Sequence, residues 1–226
     1  MDQIKKIDGP FQMPLSGETA KQLIVFCHGL GSDGKDLIGL APYFAKTLPD
    51  AFFISPNAPF QYDLASTGFQ WFSLENSSPE SRLSGVEIAA PILNSFIDKQ
   101  LEELNLDDKY LALVGFSQGA MLALHVGLRR SRQMGGIIGY SGSLIGEDLL
   151  QTETVSRPPV LLVHGDTDEI VPPDALQQSV NVLKSAGVEV VGEMRPGLGH
   201  GLDDRGIILG MDFLAQCFDV PLASLE

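Results

Sequence analysis

Short apolar segments alternate with longer stretches of mixed polarity along most of the chain, from about residue 22 onward. Because the apolar segments are short and are bounded by glycine, proline or polar residues, they predict buried strands. The predicted strands are residues 23–27, 51–55, 110–114, 136–140, 160–163 and 188–194. The stretches between them predict helices over residues 36–47, 84–104, 120–130, 175–185 and 207–218. Pro91 predicts a kink in the second helix.

This alternation of strands and helices predicts an α/β protein with a mostly parallel sheet. Each strand–helix–strand unit closes as a right-handed crossover, which puts helices on both faces of the sheet. The length of 226 residues, without an internal repeat or linker, predicts one domain over residues 1–226. Residues 1–19 precede the alternation, and we expect an N-terminal arm or an edge hairpin there. Residues 56–78 are a long irregular segment, and such segments are usually functional or mobile.

The charge balance limits the partners of the protein. The formal net charge is −14 and the pI is about 4.5. Nucleic-acid binding and attachment to anionic membranes both require clustered basic residues, so both partners are disfavoured. No apolar run approaches the length of a membrane-spanning helix, and the N-terminus leads into no signal-peptide core. We therefore expect a cytoplasmic protein without stable membrane insertion. Cys27 and Cys217 form neither a disulfide framework nor a metal motif.

The most specific local signal is the segment Gly115-Phe116-Ser117-Gln118-Gly119, which fits the pattern Gly-x-Ser-x-Gly. It stands between a predicted strand and a predicted helix. A serine in this context is typical of a nucleophile elbow, where flanking glycines permit a tight turn and the hydroxyl is exposed at the end of the sheet. An ordinary turn with a capping serine has the same pattern, so the partners of the serine decide between the two interpretations.

A nucleophilic serine needs a histidine base and a carboxylate that orients the base. Chain order favours His200 among the four histidines, because the base comes last in the order Ser, acid, His. His200 also lies in a glycine-rich loop before the last helix. The acid is expected after the strand 160–163, where Asp166, Asp168 and Glu169 compete. The residues leave Asp166 and Asp168 open, and the deeper position of Asp168 in the loop favours it.

Two backbone N–H groups are candidates for an oxyanion hole. Such a site usually combines the N–H after the nucleophile with one from the loop after an early strand. These positions are Gln118 and Leu30, the latter within the glycine-rich loop 28–34. That loop lacks the spacing of a phosphate-binding loop.

An apolar surface for the acyl group is expected beside the serine. Trp71 and Phe72, with Leu30, Ile170 and Val171, are the candidates for substrate binding. Core packing is an equal alternative for Phe72. Trp71 is the stronger candidate because it lies in the long irregular segment. No cluster of ligands has the spacing of a metal site.

Four motifs in this order resemble the carboxylesterase/lysophospholipase/acyl-protein thioesterase family. They are His28-Gly29-Leu30-Gly31, residues 115–119, residues 164–168 followed by Val171-Pro172, and Gly199-His200. Ala58-Pro59 and Trp71-Phe72 also match, so the resemblance runs from about residue 22 to residue 213. It implies an α/β-hydrolase fold without a large cap domain, a Ser-Asp-His triad and no cofactor. It also implies that the carboxylate of the triad is Asp168.

Three positions depart from the family pattern. Ala120 stands where many members have a second glycine, Ser73 where many have aspartate, and Gly201 where eukaryotic protein thioesterases commonly have serine. These departures leave the chemistry intact and favour a bacterial-type esterase over an enzyme that acts on lipidated proteins.

The residues and the resemblance together predict a serine hydrolase that cleaves carboxylic esters of small to medium acyl chains through an acyl-enzyme. The sequence leaves open whether thioesters are cleaved as well. The alternatives are a lysophospholipase or acyl-protein thioesterase, and a non-catalytic relative that binds a small ligand. The expected partner is a small-molecule ester or acyl substrate, and the expected state is a monomer or a weak homodimer.

Overall fold

The computed structural model describes residues 4–76 and 78–221. A seven-stranded sheet in the order β1-β3-β2-β6-β7-β8-β9 forms its centre, and β4 pairs with β5 in a separate small hairpin. β1 runs antiparallel to β3, and the other neighbouring pairs in the sheet are parallel. The strands are β1 (Phe11–Gln12), β2 (Gln22–Cys27), β3 (Ala51–Ile54), β4 (Phe60–Gln61), β5 (Phe69–Gln70), β6 (Leu111–Phe116), β7 (Gly136–Tyr140), β8 (Val160–Gly165) and β9 (Val190–Arg195).

Helices connect the parallel strands. They are α1 (Gly34–Leu37), α2 (Ala41–Thr47), α3 (Pro79–Leu104), α4 (Gln118–Arg129), α5 (Leu150–Glu153), α6 (Asp174–Ser185) and α7 (Asp204–Cys217). Short 3₁₀ turns cover Ile38–Leu40, Asp108–Tyr110 and Glu147–Leu149. Among the described residues, none of these connections holds an inserted domain, and no helix is both long and apolar enough to cross a membrane.

Two apolar layers cover the two faces of the sheet. Along β2, Leu23 and Val25 belong to the layer built with α3, α4 and α6, whereas Ile24 and Phe26 belong to the layer built with α1, α2 and α7. Successive side chains of a strand point to opposite faces, so a strand covered on both sides is apolar at every position. The predicted parallel sheet with helices on both faces is therefore confirmed.

Two helices begin at other residues than predicted, and a proline lies at the start of each. The predicted helix 36–47 is split into α1, a 3₁₀ turn and α2, and Pro42 lies at the start of α2, where its missing N–H costs nothing. α3 begins at Pro79, five residues before the predicted start, because the Ser78 hydroxyl caps it by accepting a hydrogen bond from the Ser81 N–H at 3.2 Å.

The two irregular segments contain short strands that the sequence does not signal. Within residues 1–19, β1 pairs with β3 at the edge of the main sheet, so this segment is an added edge strand and not a hairpin of its own. Within residues 56–78, β4 and β5 form the small hairpin. All three strands are two residues long, which is too short to produce a recognisable hydrophobic pattern.

The parallel arrangement brings four loops to one edge of the sheet. The loops after β2, β6, β8 and β9 all leave the carboxyl ends of parallel strands. Ligands in open α/β sheets bind at this edge. The predicted site residues lie in or next to these four loops, apart from Trp71 and Phe72.

Candidate active site

Ser117 occupies a strained turn between β6 and α4. Its backbone has φ 53° and ψ −118°, a conformation that is rare for a residue with a side chain. Its N–H donates a hydrogen bond to the Tyr140 carbonyl at 2.8 Å, which fixes the turn against β7. A Cβ atom at Gly119 would collide with the Cys27 carbonyl, so glycine is required where the start of α4 crosses the end of β2. This geometry is that of a nucleophile elbow.

His200 lies between the Ser117 hydroxyl and the Asp168 carboxylate. Its Nε2 is 3.0 Å from Ser117 Oγ, and its Nδ1 is 2.8 Å from Asp168 Oδ2. The Phe116 ring packs against the imidazole, with 5.0 Å between the ring centroids. The structure thus brings together three predicted residues from the loops after β6, β8 and β9. A hydroxyl, a base and an orienting carboxylate at these distances can activate the hydroxyl as a nucleophile.

Asp168 is held as a buried carboxylate. Its Oδ1 accepts hydrogen bonds from the Ile170 N–H at 2.8 Å and the Val171 N–H at 2.9 Å. Burial alone would raise the pKa of this carboxyl, but the hydrogen bonds from His200, Val171 and Ile170 outweigh it and lower the pKa below its ordinary value. An ionised Asp168 favours the imidazole tautomer that carries its proton on Nδ1, which leaves Nε2 free to accept the proton of Ser117.

Asp166 and Asp168, the two candidates for the acid of the triad, have different roles in the structure. Asp166 Oδ1 accepts a hydrogen bond from the Gly197 N–H at 2.6 Å and does not contact His200. Asp166 therefore ties the loop after β8 to the loop that carries His200. Glu169 is exposed to solvent, as is Asp166.

His164 is a site residue that sequence reasoning missed. Chain order excludes it as the base, yet its Nε2 lies 2.9 Å from the Val171 carbonyl and 3.2 Å from Asp168 Oδ2. It is almost fully buried. Its Nε2–H donates to the Val171 carbonyl, so His164 fixes the backbone segment whose N–H groups bind Asp168, and it lies beside the same carboxylate oxygen, Oδ2, that His200 contacts. The available signal was its spacing of four residues from Asp168, at the end of a buried strand.

His28 has a structural role in the loop after β2. Its Nε2 accepts a hydrogen bond from the Ala58 N–H at 3.0 Å, so the proton lies on Nδ1, which donates to the Gly29 carbonyl at 2.7 Å. Burial lowers the pKa of His28. Both ring nitrogens are occupied, which agrees with its exclusion as the base. Among the described residues, no three His, Cys, Asp or Glu side chains are grouped to hold a metal ion.

The two predicted oxyanion donors have free N–H groups beside Ser117. Gln118 is the first residue of α4, so its N–H has no partner within the helix. Neither the Gln118 N–H nor the Leu30 N–H donates a hydrogen bond within the described ranges. Both residues line the same cavity as Ser117 and His200. Unpaired donors at a helix start are suited to an oxygen that gains negative charge.

The cavity at Ser117 has a volume of about 750 Å³, within the range of small-molecule sites. The predicted contacts Ile170 and Val171 lie in its wall. Further wall residues come from separate elements and carry no motif, so the sequence gives no signal for them. They include Leu74, Arg82, Met121, Leu144, Ala175 and Gln178.

The structure corrects the prediction that Trp71 and Phe72 contact substrate. Their exposed fractions are 0% and 2%, and neither lines the cavity. The Gln118 side chain accepts from the Trp71 N–H and donates to the Phe72 carbonyl, each at 2.8 Å, and the Trp71 indole N–H donates to the His28 carbonyl at 2.9 Å. These hydrogen bonds hold Trp71 and Phe72 in the core, next to the turn that carries Ser117. The alternative of core packing for Phe72 was the correct one.

Comparison with known proteins gives one consistent result. A family model for phospholipases/carboxylesterases matches residues 13–218. Acyl-protein thioesterase 1 homolog 1 of Dictyostelium discoideum is 28% identical over 206 residues, which cover 88% of this chain and 91% of that protein. Esterase YpfH of Escherichia coli is 26% identical over 196 residues, covering 86% of this chain and 82% of that protein.

Solved structures agree with this assignment. The crystal structure of esterase PE8 is 37% identical and superposes with a TM-score of 0.90, covering 94% of this chain and 99% of that chain. Carboxylesterase from Mesorhizobium loti, at 20% identity and a TM-score of 0.74, covers 92% of this chain and 94% of that chain and shares the fold. The predicted α/β-hydrolase fold and the family resemblance are therefore confirmed. The chain belongs to the phospholipase/carboxylesterase family.

Proposed function

We propose that this protein is a serine carboxylesterase in which Ser117, His200 and Asp168 act as the catalytic triad. The observation that carries the proposal is the continuous hydrogen-bonded chain from Asp168 Oδ2 through His200 to Ser117 Oγ, with steps of 2.8 and 3.0 Å. Its substrates are small-molecule carboxylic esters with small to medium acyl chains.

The first half of the reaction forms an acyl-enzyme. Ser117 Oγ attacks the ester carbonyl while His200 Nε2 takes the hydroxyl proton, and Asp168 stabilises the resulting imidazolium. The carbonyl oxygen gains negative charge, which the N–H groups of Leu30 and Gln118 stabilise. Removal of one such donor typically lowers the rate by about 10²–10³-fold. His200 then gives its proton to the leaving alcohol as the carbon–oxygen bond of the ester breaks.

The second half of the reaction releases the acid. Water gives a proton to His200 and attacks the acyl carbonyl, and the same two N–H groups stabilise the second oxyanion. The bond to Ser117 Oγ then breaks, and the proton returns from His200 to the serine. The exposed Ile170 and the buried Val171 form part of the cavity wall against which the acyl chain packs.

Thioester hydrolysis is the second candidate function. It is favoured by the names of several relatives, including an acyl-protein thioesterase 1 of Kluyveromyces lactis that is 32% identical over 167 residues. The triad handles either leaving group, because the thiol or alcohol departs with the proton held on His200.

Matched substrates and variants test the proposal. The kcat/KM values for p-nitrophenyl butanoate and for a butanoyl thioester are compared in the unmodified protein and in Ser117→Ala. We expect kcat/KM of the variant to be at least about 10³-fold lower on every substrate that the protein cleaves. The reason is that the nucleophile and its general base act as one unit. Ser185→Ala, on an exposed turn of α6, is the control for loss of a serine hydroxyl. Undiminished hydrolysis in Ser117→Ala would exclude the proposed mechanism.

A further inference from the structure

Arg82 stands at the junction of two cavities near the proposed nucleophile. It lines the 750 Å³ cavity that holds Ser117 and His200, and it also lines an adjoining cavity of about 490 Å³. Among the described residues that line these cavities, Arg82 is the one arginine or lysine. A substrate that extends from Ser117 toward the smaller cavity therefore passes this guanidinium.

The guanidinium of Arg82 has unused hydrogen-bonding capacity. Its Nε is buried and has no partner among the described residues. Four other arginines form ion pairs, among them Arg130 with Asp98 and Asp108, and Arg195 with Asp203 at 3.1 Å. A buried donor without an acceptor costs free energy, and this cost is removed when a ligand supplies the acceptor.

The position of Arg82 on α3 also favours an anion. It is the fourth residue of the helix, near the end where the helix dipole is positive, so the dipole disfavours a cation there. An anion bound at this point satisfies both the dipole and the guanidinium. Arg82 thus bears a positive charge, without an ion-pair partner among residues 4–76 and 78–221, at a helix end whose dipole opposes it.

Within the described residues, the carboxylates of the two cavity walls form no ion pair with Arg82. Asp36 and Asp174 line the larger cavity alone, and Glu80 and Asp148 line the smaller cavity alone. Glu147 lines both cavities, and burial, followed by the neighbouring Asp148, raises the pKa of its carboxyl. An anion in these cavities is therefore attracted at Arg82 and repelled by the carboxylates elsewhere in the walls.

We propose that Arg82 is a specificity-determining residue that binds an anionic oxygen group of the substrate, such as a carboxylate or a phosphate, while the ester lies at Ser117. This inference rests on the proposed esterase function. The guanidinium offers several N–H groups in one plane, which suits an anion with two oxygens. The preferred substrates are thus esters with a negative charge at a distance from the scissile bond.

Paired substrates measure this preference. In one arm the anion is on the acyl part: the p-nitrophenyl half-ester of glutaric acid is compared with p-nitrophenyl pentanoate. In the other arm it is on the alcohol part: 3-(butanoyloxy)benzoate is compared with phenyl butanoate. The measured quantity is the ratio of kcat/KM for the anionic ester to that for its neutral counterpart. Both values come from one enzyme sample, so the folded fraction cancels from the ratio.

The variants are Arg82→Met, Arg82→Lys and the matched control Lys99→Met. Lys99 is exposed on the same helix, and its loss changes the net charge of the protein equally. We expect Arg82→Met to lower the ratio by about tenfold to a hundredfold in at least one arm, as for loss of a hydrogen bond to a charged group. Arg82→Lys should keep part of the preference, and Lys99→Met should keep all of it.

Two results would overturn the inference: an unchanged ratio in both arms for Arg82→Met, or an equal fall in the ratio for Lys99→Met. Either result leaves the proposed function standing, provided that Ser117→Ala abolishes hydrolysis of the neutral esters. If Ser117→Ala retains that hydrolysis, the proposed function itself fails. The two failures are therefore distinguishable.

Discussion

His125 makes the stability of the fold depend on pH in a defined window. The side chain lies in α4, is 6% exposed, and its Nδ1 has no hydrogen-bond partner among the described residues. Burial lowers the pKa of His125 from 6.5 to about 4, with a further lowering by Arg129 and an opposing effect of Glu153. The folded state therefore keeps this histidine neutral where the unfolded state protonates it.

The sign and the size of the effect follow from proton linkage. Between pH 6.5 and pH 4 the unfolded chain binds a proton that the folded chain does not, so the free energy of unfolding falls as the pH falls. From pH 7 to pH 5, His125 lowers the free energy of unfolding by about 2 kcal/mol, and below pH 4 the total lowering is about 3 kcal/mol. Below pH 4 His125 is protonated in both the folded and the unfolded state, so the free energy of unfolding falls no further on its account.

The perturbation that tests this linkage is His125→Leu, which keeps a buried side chain of similar size and removes the titrating group. Urea unfolding, followed by the fluorescence of Trp71, gives the free energy of unfolding at intervals from pH 7.5 to pH 5. We expect the variant to lose about 2 kcal/mol less than the unmodified protein over this range. His28 is present in both proteins and cancels from the difference. Parallel stability curves would refute the reasoning.

Two further predictions concern the residues that position the triad. Asp166→Asn weakens the hydrogen bond to Gly197 that ties down the loop of His200, and we expect kcat to fall by about tenfold or less with little change in KM, measured on a p-nitrophenyl ester. His164→Leu removes the imidazole that lies 3.2 Å from Asp168 Oδ2 and bonds the Val171 carbonyl, and we expect kcat to fall by about tenfold to a hundredfold and the acidic limb of the pH–rate profile to move. An unmoved profile would assign His164 a purely structural role.

The sequence predicted the parts of the structure that local chemistry determines. The run of apolar residues in β2 and the glycines around Ser117 each demand one local structure, and the chain adopts both. Chain order then selected His200, because the loops after parallel strands share one edge of the sheet. The distances that join His200 to Ser117 and Asp168 are a consequence of that topology.

The error at Trp71 and the choice left open between Asp166 and Asp168 both arose where tertiary contacts decide the outcome. Trp71 lies in a long irregular segment, and nothing local indicates that the Gln118 side chain binds its backbone and holds it in the core. The roles of Asp166 and Asp168 differ only through what approaches them, since Gly197 reaches one and His200 reaches the other. Contacts between residues that are distant in sequence leave no periodic pattern in a single chain.

The rest of the cavity wall, beyond Leu30, Ile170 and Val171, could not be predicted for the same reason. Arg82 comes from α3 and Leu144 from the segment after β7, and neither belongs to a motif of the sequence. The elements that bear them are placed by the packing of both faces of the sheet. Substrate preference therefore depends on residues that only the assembled fold brings together.

The most direct test of the triad is the rate and the site of covalent labelling by a fluorophosphonate, followed by peptide mass analysis. We expect one adduct, on Ser117, because this is the hydroxyl that His200 and Asp168 activate. We also expect His200→Ala and Asp168→Asn, with the fold intact, to slow the labelling by about 10²-fold or more. An adduct on another residue, or labelling of Ser117 at an undiminished rate in both variants, would contradict the account.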